Sequence, residues 1–263
     1  MNESGEVLSR TEGRVGYLTF SNPARHNAVS LAMWQDAGRL LRNFADDPAV
    51  GVVVLSGAGS KSFVSGADIS KFDTERGTED AARAYGAAVD RVYAAVHDFP
   101  KPTIAMIRGY CIGGGLGLAI SCDIRIASGH SRFAMPAAKL GLGYDLAGMR
   151  RFVEVLGASF TKEMFFTARQ FDVDEARRMG LVNRVLPDEE IEDFTRAYAA
   201  TIAANAPLTV AAAKFIVTEL SKDAGERDLA GCTAMVDRCF GSRDYEEGRR
   251  AFLEKRPPVF TGK

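Results

Sequence analysis

The sequence predicts an α/β fold over residues 1–187, followed by an all-helical region over residues 188–263. Up to about residue 187, short apolar runs rich in β-branched residues alternate with longer amphipathic segments. After residue 187 the pattern is helical throughout, without a strong strand signal. Within the first part, residues 102–123 join an apolar run to a glycine triplet and a short apolar helix, and the α/β part is organised around this stretch.

The individual elements follow from hydrophobic period and from residues that break secondary structure. Apolar runs bounded by Gly, Pro, Asn or Asp predict strands, and apolar residues three and four apart predict helices. Ser30 and Asp174 are good N-caps for the helices that follow them. The continuous apolar run 50–55 is typical of a strand buried on both faces. The predicted strands are 7–10, 14–20, 50–55, 103–107, 124–127 and 181–185; the predicted helices are 30–44, 81–97, 116–120, 146–156, 159–167, 175–179, 189–204, 207–220, 226–240 and 244–255.

Residues 102–123 place glycines where a buried strand meets a helix. The triplet is Gly113, Gly114 and Gly115. Glycine lets a ligand approach bare backbone, and the first amides of a helix are unpaired and lie at the positive end of its dipole. An oxygen that acquires negative charge would be stabilised there. Ordinary turn chemistry would also place glycines at this junction, and the spacing matches neither a dinucleotide-binding pattern nor a P-loop.

Composition excludes several classes of protein. The chain has 263 residues, of which 46% are hydrophobic and 25% charged, which is typical of one large globular domain or of a domain with an appendage. A net charge of -1 and a pI of about 6.3 predict neither a nucleic-acid partner nor a membrane partner. The four cysteines lack C-x-x-C spacing and there are three histidines, so no metal site is predicted. No signal peptide or long apolar run is visible, which predicts a cytoplasmic protein with reduced thiols.

Three stretches together resemble the enoyl-CoA hydratase/isomerase (crotonase) family. They are 62–69 (Ser-Phe-Val-Ser-Gly-Ala-Asp-Ile), 109–123 around the glycine triplet, and 251–260 (Ala-Phe-Leu-Glu-Lys-Arg-Pro-Pro-Val-Phe). The resemblance covers essentially the whole chain and includes residues 22–28 and 180–183. It implies a crotonase-like spiral of strand-strand-helix turns, C-terminal helices that make trimer contacts, and assembly as a homotrimer or homohexamer.

The resemblance also implies an acyl-CoA thioester as substrate. Coenzyme A then enters as part of the substrate, and no permanently bound cofactor or metal is expected. The N–H groups of Ala67 and Gly114 match the two amides that form the family's oxyanion hole, where each such donor contributes ~3–4 kcal/mol. Asp68 equally fits a simple helix cap, and Lys255 a solvated helix charge. The CoA contacts implied by position are Arg25, His26, Ser65, Ala67, Asp68, Ile69 and, from a neighbouring subunit, Lys255.

Two positions depart from the classical hydratases that the chain resembles. Those enzymes use two glutamates to activate and position water, and the matching positions are Gly117 and Ala137, which carry no titratable side chain. A two-glutamate mechanism of water addition is therefore not expected. A small acyl pocket is predicted around this region from Leu116, Met135, Ala137 and Leu142.

Tyr144 and Asp145, on a glycine-flanked loop, are the remaining candidates for chemistry. By resemblance, Asp145 matches a catalytic aspartate of dienoyl-CoA isomerases and the nucleophilic aspartate of chlorobenzoyl-CoA dehalogenases. Tyr144 matches a catalytic tyrosine of methylmalonyl-CoA decarboxylases, which the chain resembles most from residue 133 onward. Those decarboxylases carry a histidine at the position of Ala67 and an asparagine at that of Asp145. Asp145 would also serve as the N-cap of helix 146–156, worth ~1 kcal/mol, and Tyr144 as a packing aromatic.

These residues predict an enzyme that forms or captures a thioester enolate. Asp145 would transfer or orient a proton and Tyr144 would position the acyl group, with isomerisation or carbon–carbon cleavage favoured over simple hydration. Two alternatives stay open. One is a hydratase with non-standard acid–base residues, and the other is an acyl-CoA-binding protein without activity.

Overall fold

The computed structural model describes residues 5–263. The strands are β1 (Glu6–Glu12), β2 (Val15–Ser21), β3 (Val52–Gly57), β4 (Ser62–Val64), β5 (Thr103–Ile107), β6 (Tyr110–Ile112), β7 (Ile124–Ser128), β8 (Arg132–Ala134) and β9 (Arg184–Leu186). The α-helices are α1 (Leu31–Asp46), α2 (Phe72–Glu75), α3 (Glu79–His97), α4 (Gly114–Ser121), α5 (Leu146–Thr167), α6 (Val173–Arg178), α7 (Ile191–Ala204), α8 (Pro207–Ser221), α9 (Leu229–Phe240) and α10 (Arg243–Glu254).

The strands form two sheets. The larger sheet has six strands in the order β1-β2-β3-β5-β7-β9, and the smaller has three in the order β4-β6-β8. Only β1 and β2 pair antiparallel; all other neighbours are parallel. From β3 onward, successive strands alternate between the two sheets, and each pair leads into a helix: β3-β4 into α2 and α3, β5-β6 into α4, and β7-β8 into α5. The predicted spiral of strand-strand-helix turns is confirmed.

The larger sheet separates two hydrophobic cores. Residues 52–55 of β3 are all fully buried, which confirms the prediction for the apolar run. Val53 and Leu55 pack into the main core with α1, α3 and α4, while Val52 and Val54 face a second core covered by α7. Because side chains alternate across a strand, a run without polar residues is needed where both faces are covered.

Local capping chemistry sets the helix starts, and it corrects one prediction. The hydroxyl of Ser30 accepts a hydrogen bond from the Met33 amide at 3.4 Å, as predicted for the start of α1. Asp174 is not the cap of α6. Asp172 is, because its carboxylate accepts from the Glu175 amide at 2.9 Å while the Glu175 side chain accepts from the Asp172 amide, a reciprocal capping box.

Several other elements differ from the sequence predictions; among them, α2 was not predicted, and β9 covers Arg184–Leu186 instead of 181–185. Strand β6 was not predicted, since three residues between two glycines give too short a pattern. Helix α4 begins at Gly114, two residues earlier than predicted. A side chain at Gly115 would collide with the carbonyl oxygen of Val64, so glycine is required at this position by close packing against β4. The two helices predicted at 146–156 and 159–167 form α5, which is broken at Gly157 (φ 73°).

The C-terminal region is helical, as predicted. Helix α7 packs against the larger sheet, while α8, α9 and α10 pack on one another in succession. Large apolar side chains stay exposed on this part and on α5, among them Phe166, Phe252 and Leu253 at 76%, 83% and 80%. The division of function at residue 187 stays a prediction.

Within residues 5–263, no single helix has the length and apolar character to cross a membrane; α7 and α8, which meet at a bend of 102°, reach that length and apolar character only when taken together. In the same range, no three His, Cys, Asp or Glu residues are grouped to hold a metal ion.

Candidate active site

The amide of Ala67 is directed by pairing of its neighbours with Val29. The Val29 amide donates to the Gly66 carbonyl at 2.9 Å, and the Asp68 amide donates to the Val29 carbonyl at 3.1 Å. In a trans peptide the C=O and N–H point in opposite directions. Because the Gly66 carbonyl faces Val29, the Ala67 N–H points away from it, and within residues 5–263 that N–H has no hydrogen-bond acceptor.

The amide of Gly114 is directed by the start of α4. Gly113 precedes the helix at φ 54° and ψ −115°, a conformation accessible to glycine. Its carbonyl accepts from the Gly117 amide at 3.0 Å, so it points along the helix. The Gly114 N–H, on the same peptide, therefore points out of the helix N-terminus and is one of its unpaired donors.

These two amides lie on neighbouring backbone segments. A Cβ atom at Gly66 would lie 4.0 Å from the Gly114 nitrogen, and one at Gly114 would lie 3.9 Å from the Gly66 Cα. Gly66 has φ 108°, which an L-residue rarely adopts. The residues Ala67 and Gly114 are both partly exposed, so a ligand can reach them. The arrangement offers two outward donors and a helix dipole to an oxygen with developing negative charge.

Four of the predicted CoA contacts cluster beside Ala67. The Arg25 guanidinium pairs with Asp68 at 2.9 Å, and the Ser65 hydroxyl donates to the Arg25 carbonyl at 3.3 Å. His26, at φ 53°, packs edge-on against Tyr110. The loop that carries Arg25 and His26 is anchored by the buried Asn27, whose amide donates to the Ala58 and Ser62 carbonyls.

Asp68 and Ile69 differ in character. Asp68 is buried and caps the short 3-10 turn Ile69–Lys71 by accepting from Ser70, which agrees with the simpler interpretation of this residue. Burial alone would raise the pKa of Asp68, but hydrogen bonds from Ser70 and the Arg25 guanidinium outweigh it and lower the pKa. The Ile69 side chain is 76% exposed next to this ion pair, and thus offers an apolar surface at the edge of the site.

Tyr144 and Asp145 lie at the start of α5. The Asp145 carboxylate is exposed and its Oδ1 accepts from the Gly148 amide at 2.7 Å, so this residue is the N-cap of α5. Tyr144 packs edge-on against Phe152 and Phe165, and burial raises the pKa of its hydroxyl to about 12. Both simpler interpretations therefore describe real contacts. Neither excludes chemistry, because Oδ2 of Asp145 and the Tyr144 hydroxyl have no hydrogen-bond partner within residues 5–263.

Helix α3 connects this loop to the glycine helix. Desolvation around Asp90 of α3, and then the negative charge of Asp145, raise the pKa of the Asp90 carboxyl. Tyr93 of α3 is buried, and burial followed by the nearby Tyr144 hydroxyl raises its pKa. The Tyr93 hydroxyl donates to the Gly114 carbonyl at 2.7 Å. The sequence analysis missed Tyr93, since a tyrosine on an amphipathic helix has no distinguishing pattern.

The space beside Gly117 is occupied by the same tyrosine. A Cβ at Gly117 would lie 2.5 Å from the Tyr93 hydroxyl oxygen. Ala137 is 4% exposed, and its carbonyl accepts from the Leu140 and Leu142 amides, both at 3.0 Å. Of the residues predicted to line an acyl pocket, Leu116, Met135 and Ala137 belong to the main core, whereas Leu142 is 44% exposed.

Comparison with known proteins decides the family. The family model described as enoyl-CoA hydratase/isomerase matches residues 10–263. The chain belongs to the enoyl-CoA hydratase/isomerase family. It is 34% identical over 254 residues, 97% of each chain, to the short-chain-enoyl-CoA hydratase of Clostridium acetobutylicum. It is 36% identical over 257 residues, 96% of this chain and 97% of the relative, to a carnitinyl-CoA dehydratase of Proteus mirabilis.

Solved structures of this enoyl-CoA hydratase/isomerase family have the same fold. A crystal structure of an enoyl-CoA hydratase/carnithine racemase from Magnetospirillum magneticum superimposes with a TM-score of 0.91 at 35% identity, covering 98% of this chain and 96% of that one. The crotonase-like fold is thereby confirmed. The methylmalonyl-CoA decarboxylase likeness stays a prediction.

Lys255 and two cavities of the structure lie outside the segments that carry Ala67 and Gly114. Lys255 is the exposed C-cap residue that follows α10, at φ 55°. Its expected contact is with a neighbouring subunit. Two cavities, of about 310 and 190 Å³, lie along α10 and under α7, away from Ala67 and Gly114.

Proposed function

We propose that this chain transforms an acyl-CoA thioester through an enolate whose oxygen is bound by the Ala67 and Gly114 amides. The main support is the pair of outward N–H groups on adjacent backbone segments. In each of the two peptide groups, the carbonyl oxygen, of Gly66 or Gly113, accepts a backbone hydrogen bond, and the N–H points the opposite way. Main-chain donors of this kind are preorganised, because they need no reorganisation when charge develops in the transition state.

The reaction proposed first is reversible addition of water to an enoyl thioester. Water contributes its hydroxyl to Cβ and a proton is delivered to Cα, so the enolate lies between the two steps. The names of the relatives, hydratase and dehydratase, support this over the isomerisation or carbon–carbon cleavage favoured by the sequence analysis. Isomerisation, which moves a proton without adding water, is the second candidate. It is favoured by Gly117 and Ala137, which leave both glutamate positions of the resemblance without a carboxylate.

Proton transfer is assigned to the loop at the start of α5. Asp145 uses Oδ1 for capping, and Oδ2 is left to accept a proton or orient water. The Tyr144 hydroxyl, whose pKa is about 12, stays protonated at neutral pH and can donate a hydrogen bond to the acyl group. The partly desolvated Asp90 holds a second carboxyl near Asp145.

CoA recognition is assigned to the cluster beside Ala67. Arg25 and His26 supply polar groups, Ser65 and Asp68 hold the loop, and the exposed Ile69 offers an apolar contact. Lys255 is proposed to reach CoA phosphate across a subunit contact.

A set of variants separates capping from catalysis at Asp145. Asparagine is as good an N-cap as aspartate, so Asp145→Asn keeps the helix start and removes only the carboxylate. We expect Asp145→Asn and Tyr144→Phe each to lower turnover by about 100-fold, with acetyl-CoA affinity changed less than about twofold. Asp172→Asn, at the N-cap of α6, is the matched control and should leave turnover unchanged. Wild-type rates in both site variants would remove this assignment.

A substrate panel identifies the reaction. Crotonyl-CoA reports hydration, a dienoyl-CoA reports isomerisation, and methylmalonyl-CoA reports decarboxylation. Binding of all three without turnover of any would support the acyl-CoA-binding alternative.

Assembly as a homotrimer or homohexamer is also proposed. The exposed Phe166, Phe252 and Leu253 present apolar surface of the kind that subunit contacts cover. Mass measurement in solution tests this, and a purely monomeric protein would contradict it.

A further inference from the structure

Two tyrosines of α3 each donate a hydrogen bond to a backbone carbonyl next to one half of the candidate oxyanion hole. Tyr93 donates to the Gly114 carbonyl at 2.7 Å, and Tyr85 donates to the Val29 carbonyl at 2.9 Å. Both tyrosines are buried, at 5% and 3% exposure. Eight residues of helix separate them, or roughly 12 Å along the axis, so one rigid element contacts both segments.

The contact at Gly114 restrains a run of three glycines. Three consecutive glycines have no side chains to fix them, and each loses more conformational freedom on folding than any other residue. The Tyr93 hydroxyl restrains the Gly114 carbonyl. The Trp34 ring and the Tyr93 hydroxyl border the same face of Gly114, since a Cβ there would lie 3.5 Å from each of them. The first turn of α4, which carries the Gly114 N–H, therefore packs against both side chains.

The contact at Val29 acts on the Ala67 amide indirectly, through the hydrogen bonds that join Val29 to Gly66 and Asp68. The Val29 carbonyl accepts from both the Tyr85 hydroxyl and the Asp68 amide, while the Val29 amide donates to Gly66. These bonds set the plane of the peptide that carries the Ala67 N–H. A shift of Val29 would therefore turn that N–H.

Trp34 links the two tyrosines. Its indole N–H donates to the Tyr85 hydroxyl at 2.9 Å, and its ring packs edge-on against Tyr93 at 5.8 Å between centroids. In the chain Trp34 to Tyr85 to Val29, each hydrogen bond polarises the next. Trp34 itself is 1% exposed, so this linkage is dry and rigid.

We infer that Tyr85, Trp34 and Tyr93 are positioning residues that hold the Ala67 and Gly114 amides at the spacing an enolate oxygen requires. This inference rests on the proposed function, since it assigns a role to groups around the same two amides. Both tyrosine hydroxyls donate to backbone carbonyls, so both residues are assigned to positioning. Burial raises the pKa of both hydroxyls, so both stay protonated and can donate at neutral and mildly alkaline pH.

The direct measurement is the carbonyl stretch of bound [1-13C]acetyl-CoA, by infrared difference spectroscopy. Donors aligned on the thioester oxygen move this band to lower wavenumber. We expect a shift in the wild type, and a smaller shift in Tyr93→Phe and in Tyr85→Phe. Turnover of the substrate found in the panel should fall about tenfold in each variant, with KM changed less than about twofold, because a displaced donor acts mainly in the transition state.

Tyr17→Phe is the matched control. It removes the same atom from a tyrosine that is 9% exposed, but its hydroxyl has no hydrogen-bond partner within residues 5–263 and faces the second core. Its carbonyl band and turnover should equal those of the wild type. Melting temperatures of all three variants establish that they are folded. If either Tyr93→Phe or Tyr85→Phe fails to fold, Trp34→Phe removes the donor to Tyr85 and is expected to reduce the band shift.

The outcomes separate the two claims. A wild-type protein that binds acetyl-CoA without a carbonyl shift contradicts the oxyanion hole, and the positioning role falls with it. A wild-type shift that persists unchanged in both tyrosine variants leaves the oxyanion hole intact and overturns the positioning role.

Discussion

Substitution of Gly117 by alanine tests whether Tyr93 fills the space that a side chain at 117 would need. The added methyl would lie 2.5 Å from the Tyr93 hydroxyl oxygen, 2.6 Å from Cζ and 2.7 Å from Cε2. Ordinary carbon contacts are about 3.5–4.0 Å, so the ring has to move by roughly 1 Å. It cannot swing into solvent, because Tyr93 is 5% exposed and packs against Trp34.

The expected loss of stability combines three effects. Overpacking of a buried site costs about 1–3 kcal/mol. Displacing the Tyr93 hydroxyl from the Gly114 carbonyl removes a hydrogen bond worth about 1 kcal/mol. Replacing glycine by alanine inside a helix gives back about 0.5–1 kcal/mol. We therefore expect Gly117→Ala to lower the free energy of unfolding by about 2 kcal/mol.

Urea unfolding at one fixed protein concentration measures this change, since association would otherwise shift the apparent stability. Gly86→Ala, inside α3, is the matched control. Outside the backbone of α3 itself, no atom of residues 5–263 lies within 4 Å of a methyl there, so the substitution should stabilise the protein by about 0.5–1 kcal/mol. In a Tyr93→Ala background the clash is gone, and Gly117→Ala should become neutral or stabilising. An equal cost of Gly117→Ala in both backgrounds would refute the reasoning.

Two further predictions concern the helix ends and the C-terminus. Asp172→Ala should destabilise the protein by about 1 kcal/mol through loss of the capping box with Glu175, whereas Asp174→Ala should change unfolding in urea much less; the reverse order would restore Asp174 as the cap. Hydrogen bonds from Arg256, and then from Arg250 and the Val259 amide, hold the pKa of Glu247 well below its ordinary value, so its contribution is present above about pH 4.5 and is lost as pH falls. The melting temperature should therefore drop on acidification, and less steeply in Glu247→Gln; parallel curves for the two proteins would contradict this.

The sequence anticipated the elements whose cause is local. Residues 52–55 are apolar without interruption because both faces of β3 are covered, and that pattern is readable without a partner. Ser30 caps α1 by accepting a hydrogen bond from the Met33 amide, three residues along the chain. The capping box at Asp172 is also local, but the competing aspartate two residues later led to the wrong assignment.

The candidate site was only partly readable. Ala67 and Gly114 were assigned by resemblance, and the structure places their segments side by side. Strand β6 could not be predicted because its three residues are stabilised by β4 and β8, which are distant in sequence. Tyr85 and Tyr93 were invisible as site residues because their partners, Val29 and Gly114, are 56 and 21 residues away.

The amino-acid sequence alone determined the alternation of strands and helices and the glycine triplet, and by resemblance it indicated the family of the chain. The alternation and the triplet follow from hydrophobic period, backbone freedom and residue identity, all of which act within a few positions. The tertiary structure decided which groups face one another: that Tyr93 occupies the space beside Gly117, that Tyr85 and Tyr93 donate to Val29 and Gly114, and that one helix therefore contacts the segments of both amides. Such contacts depend on how the spiral brings together segments that are far apart in sequence, and a pattern within a few residues cannot predict them.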